Sequence, residues 1–106
     1  MPRIDTYLDN LERHGAQALR LTAGQPIQLL IGDQRKMLRK TCTDDEILTL
    51  VHEIMDPGDR RTFVVQGAVR FAYRSPTAGP VAVEVERSAN QITCAIVRAP
   101  GTREEP

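Results

Sequence analysis

The spacing of apolar residues after Gly67 limits the fold more strongly than any other feature of this sequence. The segments "VRFAY" and "VAVEVE" place apolar side chains at every second position, and "ITCAIV" is apolar at both alternating sets of positions. A period of two is typical of β-strands, and a strand that is apolar on both faces is typical of the interior of a sheet. The links "SPTAGP" and "SAN" are too short for a crossover helix, so these strands are predicted to pair antiparallel.

A second set of strands is predicted nearer the start of the sequence. "ALRLT" alternates, "IQLLI" is apolar enough for an interior strand, and the turn-forming residues Gly24 and Pro26 lie between them. After a Gly-Asp turn, "QRKMLRK" has four basic residues among its seven. We predict that it forms a charged edge strand, because charge on an edge hinders pairing between sheets of different molecules.

Two segments have the three- and four-residue apolar spacing of amphipathic helices. The first spans residues 3–14, and Gly15 follows in the position where a helix commonly ends. The second, "TDDEILTLVHEIM", opens with Thr43 and Glu46 in the capping-box arrangement. Its predicted apolar stripe comprises Ile47, Leu48, Val51, Ile54 and Met55.

A third, shorter helix is predicted at "DPGDRRTF", with Asp56 as its cap and Pro57 at the first helical position. Strands on both sides of a helical block, with hairpin-length links at each end, indicate an α+β domain. We expect a mostly antiparallel sheet of five to six strands with two to three helices. The 44–55 helix is expected to cover one face of that sheet.

Length and composition are those of one globular domain. A chain of 106 residues can bury a single core, so we predict one domain over 1–100 and a disordered polar tail over 101–106. The 14 basic and 14 acidic residues cancel, which argues mildly against a nucleic-acid partner. No apolar run is long enough to cross a membrane, and the start lacks an apolar signal region. The two cysteines are therefore expected to be reduced thiols of a cytoplasmic protein.

Residues that could carry catalysis or bind a metal are few and scattered. No G-x-x-x-x-G-K-[ST] string occurs, so these 106 residues cannot hydrolyse ATP by that route alone. His14 lies at a predicted helix end, where a cation interacts well with the dipole, and His52 lies on the polar side of its helix. Cys94 is expected to be buried, whereas Cys42 precedes a helix N-terminus, which can lower a thiol pKa. With no base evident beside Cys42, we predict no catalytic residue, no metal site and no cofactor.

Basic residues of the predicted edge strand and third helix form the notable charge cluster. They are Arg35, Lys36, Arg39, Lys40, Arg60 and Arg61. One interpretation is a docking patch for an acidic protein surface or a phosphate backbone, and the other is solvated charge that protects an edge. Aromatic side chains, on which single-stranded bases stack, are missing among these cations, which weakens the case for nucleic acid.

The stretch "HGAQALRLTAGQPIQLLIGDQRKML" resembles the opening of the twitching-motility (PilT-like) ATPases, which retract type IV pili, and of their type II secretion relatives. In that family a helix ends in Gly-Ala and precedes a Ser-Asp-Leu-His-Leu strand, a Ser/Thr-Ala-Gly-x-Pro turn and a strand ending in Gly-Asp. The matching residues are Gly15, Ala16, Leu19, Leu21, Thr22, Ala23, Gly24, Pro26, Gly32 and Asp33. "DDEILTLVHEIMDPGDRRTF" is similar to the family's next two helices, "VRFAYRSP" to a later strand, and "VRAP" to the end of the domain.

The resemblance covers residues 4–100, which is the family's N-terminal domain, and stops where the ATPase domain would start. It implies a PAS-like sandwich of helices on an antiparallel sheet. The sequence departs from the family's pattern in its first strand, where the family's Asp and His are Ala18 and Arg20. The resemblance thus implies the family's fold more firmly than its chemistry.

A second departure concerns arginines that, in this family, reach toward nucleotide phosphates at the subunit boundary. The family's Arg-Phe-Arg-Val strand corresponds to residues 82–85, with Ala82 and Glu84 at the arginine positions. A carboxylate beside a triphosphate repels it. We therefore expect a domain unfit to complete a nucleotide site, with Arg98 as the arginine that remains for such a role.

The leading hypothesis is a non-enzymatic, stand-alone interaction or regulatory domain. The family's domain packs against neighbouring subunits of a ring, so a free copy is expected to dock on a motor ATPase or another assembly component, or to form a homo-oligomer. The alternatives are a nucleic-acid-binding module that uses the basic 35–40 strand, and a small-ligand sensor, since PAS-like sandwiches often enclose a pocket. The basic cluster and the 57–66 helix are the candidate contact surfaces.

Overall fold

The computed structural model describes residues 3–76, 78–89 and 91–98, which form helices and strands in the predicted order. The elements are α1 (Ile4–His14), β1 (Ala18–Thr22), β2 (Pro26–Ile31), β3 (Gln34–Thr41), α2 (Asp44–His52), α3 (Pro57–Gln66), β4 (Ala68–Ser75), β5 (Gly79–Ser88) and β6 (Gln91–Arg98). The predicted disordered tail, 101–106, and the predicted domain end at residue 100 lie outside the described residues.

The strands form one antiparallel sheet in the order β3-β2-β1-β6-β5-β4. The predicted α+β class is confirmed, and the sheet, predicted to be mostly antiparallel with five to six strands, has six strands that all pair antiparallel. β6, which was predicted to be central, lies between β1 and β5, and β3, which was predicted to be an edge, is an outer strand. Strands that are neighbours in the sheet also follow one another in the sequence, except for the β1–β6 pair.

The helices cover one face of the sheet and form a single core with it. Each strand contributes the side chains of one face, because successive side chains point to opposite sides. The buried apolar strand residues, which come from every strand except β3, are Leu19, Leu21, Ile27, Leu29, Val69, Val81, Val83, Val85, Ile92, Cys94 and Ile96. The buried helical residues packed against them include Ile4, Leu8, Leu11, Ile47, Leu50, Val51 and Phe63. In the described part of the chain, no helix covers the opposite face.

Local signals predicted from the sequence start α2 and α3 and end α1. Thr43 and Glu46 form a complete capping box, in which the Thr43 N–H donates to Glu46 Oε1 at 2.8 Å and the Glu46 N–H donates to Thr43 Oγ1 at 3.2 Å. The Asp59 N–H donates to Asp56 Oδ1 at 2.7 Å at the start of α3. Gly15 closes α1 with a φ of 65°, the left-handed conformation that glycine adopts without strain.

α2 ends at His52, which is earlier than the predicted end at residue 55. Asp56 must be extended to cap α3, and it has φ −82° and ψ 171°. The chain therefore leaves the helix before Asp56, and the N–H groups of Ile54 and Met55 both donate to the Val51 carbonyl in a closing turn.

The predicted stripe of α2 is confirmed in part. Its buried residues are Ile47, Val51 and Met55, and its half-buried residues are Leu48 and Ile54. Leu50 was not predicted but is also buried, on the side of α2 that faces α1. Among the described residues, no helix has the length and apolar character that crossing a membrane requires.

Candidate interaction surfaces

The sheet face opposite the helices, here called the open face, carries small apolar residues next to charged ones. Two neighbouring rows of its side chains run at right angles to the strands. The charged row runs through Gln28, Arg20, Ala95, Glu84 and Arg70, on β2, β1, β6, β5 and β4. The apolar row runs through Leu30, Ala18, Val97, Ala82 and Ala72 on the same strands.

Glu84 lies on the open face, and its side chain is 54% exposed. Nη2 of Arg70, on the neighbouring strand, donates to Glu84 Oε2 at 3.1 Å. An exposed pair of this kind contributes about 1 kcal/mol or less to folding. Arg20 is also exposed and has no ion-pair partner among the described residues. Arg20 and Glu84 thus flank Ala95 at the same level of the sheet, with opposite charges.

Helix α3 carries the most exposed apolar side chains of the described chain. It packs on β4 through Phe63, its buried residue, while Val64 and Val65 are each 75% exposed. Nη2 of Arg60 donates to the His52 carbonyl at 2.7 Å, which ties the start of α3 to the end of α2. α3 is therefore a well-anchored helix whose outer surface combines apolar and basic groups.

The predicted basic cluster is divided between the two edges of the sheet. Arg35, Lys36, Arg39 and Lys40 are exposed on the outer strand β3, and Arg60 and Arg61 are exposed on α3, which packs on the outer strand β4. Five strand spacings, about 24 Å, separate β3 from β4. The six cations therefore do not form one continuous patch.

The cations of β3 also alternate between the two faces of the sheet. Arg35 pairs with Leu30, which lies on the open face, and Lys36 pairs with Leu29, which is buried under the helices. Neighbouring cations of this strand consequently point in opposite directions. This alternation prevents the strand from presenting all its charges to a single phosphate backbone.

An open groove of about 520 Å³ lies between α1 and α2. Two of its charged lining residues already have contacts within the chain. Arg3 pairs with Glu53 at 3.5 Å between Nε and Oε2, and Glu46 Oε1 caps α2 through the Thr43 N–H. Lys40 and Asp45 bring opposite charges to the same groove. The groove therefore shows no set of groups that selects one class of small ligand.

Both cysteines are buried, and neither forms a disulfide within the described ranges. Burial raises the pKa of the Cys94 thiol to about 12, as suits a small core residue. The expectation that a helix N-terminus lowers the pKa of Cys42 is wrong. Burial raises the pKa of this thiol and outweighs the lowering effects of the Tyr7 hydrogen bond and nearby Lys40. Cys42 is 2% exposed because it belongs to the core rather than to the helix surface.

His14 lies at the helix end that the sequence predicted, and His52 lies on an exposed side of its helix, as predicted. His14 is the last residue of α1, and His52 is the last residue of α2 and is exposed. No three His, Cys, Asp or Glu side chains of the described residues are placed to hold a metal ion together.

Arg98, the arginine that the resemblance left for a nucleotide, points away from the open face. It pairs with Val81, whose side chain is buried on the helix-covered side. Its Nη2 lies 2.6 Å from Oε1 of Glu12 in α1, and its buried Nε has no hydrogen-bond partner among the described atoms. The guanidinium is therefore already paired with a carboxylate of the same chain.

Sequence reasoning missed one buried polar contact. The Tyr73 hydroxyl donates to Asp5 Oδ1 at 2.8 Å, and Asp5 is 6% exposed. Burial, together with the hydrogen bond and charge of Asp5, raises the pKa of Tyr73 to about 12. The contact ties the first turn of α1 to the outer strand β4. An acidic residue in a first helical turn is usually explained by the helix dipole, so the sequence offered no separate signal.

Comparison with known proteins bears on the fold. No family model matches the sequence, and no curated protein is significantly similar to it. The structure of the pilus retraction motor PilT with bound ADP is similar, with a TM-score of 0.84 and 23% identity over 97% of this chain. The ATPase DotB of Legionella pneumophila is similar with a TM-score of 0.70 and 14% identity over 91% of this chain.

This chain spans 30% of the PilT chain and 29% of the DotB chain. A match that covers nearly all of one chain and under a third of the other is that of a single domain of a larger protein. The resemblance in fold to the N-terminal domain of PilT-like ATPases, predicted from the sequence, is confirmed.

Proposed function

We propose that this protein is a non-enzymatic interaction module that binds a motor ATPase of the pilus-retraction or secretion type. The supporting observation is the likeness in fold to PilT over 97% of the chain, in a sequence without a phosphate-binding loop of the Walker type. A separate domain with this fold is suited to contact the same kind of subunit that the motor's own N-terminal domain contacts. The proposal places the protein in the cytoplasm, where its two unbridged thiols stay reduced.

The charge of Glu84, where the resembling family has a nucleotide-facing arginine, and the pairing of Arg98 support a role without nucleotide chemistry. Glu84 stands exposed on the open face, where it would repel a triphosphate, and Arg98 is paired with Glu12. We therefore expect calorimetric titration with Mg-ATP to show no tight binding to the purified chain. Tight ATP uptake would overturn this part of the proposal.

The outer surface of α3 is the proposed contact with the motor. Val64 and Val65 supply apolar area, and Arg60 and Arg61 supply positive charge beside it. The matching partner surface is an apolar patch bordered by carboxylates. Because the Asp56 cap holds the start of α3 in place, binding orders little additional chain.

The test compares two variants in the cells that naturally make the protein. The double variant Val64→Asp/Val65→Asp changes the proposed contact, and Met37→Asp changes a side chain that is 52% exposed on β3, at the other edge. We expect the wild-type protein and Met37→Asp to recover a ring-forming ATPase, and the double variant to lose it. The purified ATPase should then bind the double variant at least about tenfold more weakly.

Two results would contradict the proposal. If the wild-type protein binds no motor ATPase and no assembly component, the proposed function is wrong. If the double variant binds the motor as tightly as the wild type does, the proposed function still holds, but α3 is not the contact surface.

Nucleic-acid binding through the 35–40 strand has weaker support, because Arg35 and Lys36 point to opposite faces of the sheet. A salt titration separates this role from the proposed one. Phosphate contacts would give an affinity for DNA or RNA that falls steeply with added salt, whereas we expect weak binding at every salt concentration.

A further inference from the structure

The open face has a charge pattern that is complementary to itself. Ala95 lies at the centre of the charged row on β6, with Arg20 on the strand to one side and Glu84 on the strand to the other. Consider a second copy turned by a two-fold axis that runs parallel to β6, midway between two stacked sheets. This rotation places β1 of each copy over β5 of the other, so that each Arg20 faces a Glu84.

We propose that the open face is a homodimer interface, in which two copies stack sheet on sheet with reciprocal Arg20–Glu84 ion pairs. The charge pattern also selects the orientation of the copies. A two-fold axis at right angles to the strands would instead place Arg20 over Arg20 and Glu84 over Glu84, which costs energy through like-charge repulsion. Arg20, which has no ion-pair partner among the described residues, gains one in the favoured orientation.

The apolar row fits the same orientation. Val97, which is 44% exposed, lies at its centre, and Ala18 of one copy faces Ala82 of the other. Small side chains allow two sheets to approach to the usual distance of about 10 Å. A shallow depression of about 200 Å³ beside Leu30 lies where Ala72 of the second copy would be placed. Shape and charge thus agree on one arrangement.

The size of the open face indicates a weak dimer. Strand spacing and rise give a face of about 24 by 20 Å, or about 500 Å² for each copy. The total of about 1,000 Å² lies at the lower limit for a specific protein interface. We therefore expect a dissociation constant in the micromolar range.

Analytical ultracentrifugation over a range of protein concentrations tests the proposal. The single variants Arg20→Glu and Glu84→Arg each place like charges in both reciprocal pairs, so we expect the dissociation constant to rise about 10- to 100-fold. An equimolar mixture of these two variants should dimerise again, because opposite charges then face one another in both pairs. A merely structural effect of either substitution would not be repaired by mixing.

A control separates the specific pairing from attraction between oppositely charged proteins. Arg61→Glu, at an exposed position on α3, changes the net charge by the same amount as Arg20→Glu. Mixed with Glu84→Arg, it forms one opposite-charge and one like-charge pair, so it should recruit that variant much more weakly than Arg20→Glu does. Circular dichroism and thermal unfolding establish that each variant is folded, and Val97→Asp, at the centre of the face, provides an independent disruption.

Three outcomes would overturn the proposal. The wild-type chain could remain monomeric up to millimolar concentration, or the dimer could persist unchanged in all three variants of the open face. The third such outcome is that the mixture of Arg20→Glu and Glu84→Arg stays monomeric although both variants are folded.

Discussion

Both sides of strand β6 carry apolar side chains, but their surroundings are very different. Ile92, Cys94 and Ile96 are 0–3% exposed under the helices, whereas Val97, on the other side, is 44% exposed. A strand that is apolar on both sides is commonly covered on both sides. In the described part of this chain, helices cover one side only. Apolar character thus identified the position of the strand in the sheet, but it did not reveal what covers each face.

The same substitution on the two faces should have different effects on stability. Val83→Ala removes a side chain that is 0% exposed and faces the helices, so we expect a loss of about 2–3 kcal/mol. Val97→Ala acts on the open face and should cost about 0.5 kcal/mol or less in the monomer. Urea unfolding at low protein concentration, where a weak dimer is dissociated, measures both values. Equal losses would show that the two faces do not differ in packing.

The covered face also contains the buried hydrogen bond between Tyr73 and Asp5. Tyr73→Phe leaves the Asp5 carboxylate without its donor in a site that is 6% exposed, so we expect a loss of about 1–2 kcal/mol. Tyr7→Phe, at the other tyrosine of the chain, is the matched control and should cost less. Urea unfolding again provides the measurement, and a smaller loss for Tyr73→Phe than for Tyr7→Phe would contradict this assignment.

High pH should lower the free energy of unfolding through ionisation of the Tyr73 hydroxyl. The pKa of Tyr73 is raised from 10.0 to about 12 in the folded protein, so the fold favours the protonated form. The resulting stabilisation is fully present below pH 10 and is lost as the pH rises toward 12. Unfolding measured across this window should show a steeper decline for the wild type than for Tyr73→Phe. Parallel curves would exclude Tyr73 as a source of the pH dependence.

Charges on the open face should contribute least to the stability of the monomer. Glu84→Ala removes the exposed ion pair with Arg70, and we expect a change of about 0.5 kcal/mol or less. Thermal unfolding at low concentration, compared with the exposed control Glu86→Ala, measures this effect. A large loss would mean that Glu84 supports the folded monomer, and would change the interpretation of Glu84→Arg in the dimer test.

Features set by neighbouring residues were predictable from the sequence. The capping box of Thr43 and Glu46, the Asp56 cap and the Gly15 helix end each depend on residues within a few positions of one another, and each was confirmed. The edge position of β3 was predictable because a strand with so many cations is poorly suited to the interior of a sheet.

Features that depend on distant residues were not predictable. Tyr73 and Asp5 lie 68 positions apart, and neither has a neighbour in the sequence that indicates the contact. The pKa of the Cys42 thiol was considered only from its position before a helix. The core residues that bury this thiol come from other parts of the chain. Arg60 and Arg35 are separated by the width of the sheet because of the strand order. No local sequence pattern predicts that order.

The pairing of β1 with β6 has a consequence for how this protein is made. Ala18 pairs with Val97, so an early strand of the chain acquires its second neighbour only after nearly all of the described residues have been synthesised. Until then, β1–β3 and β4–β5 are separate groups of strands on the ribosome, each with an open edge beside the future place of β6. Such late, long-range closure slows folding, and exposed edges favour aggregation. Nascent chains that pause before β6 should therefore be the most dependent on chaperones.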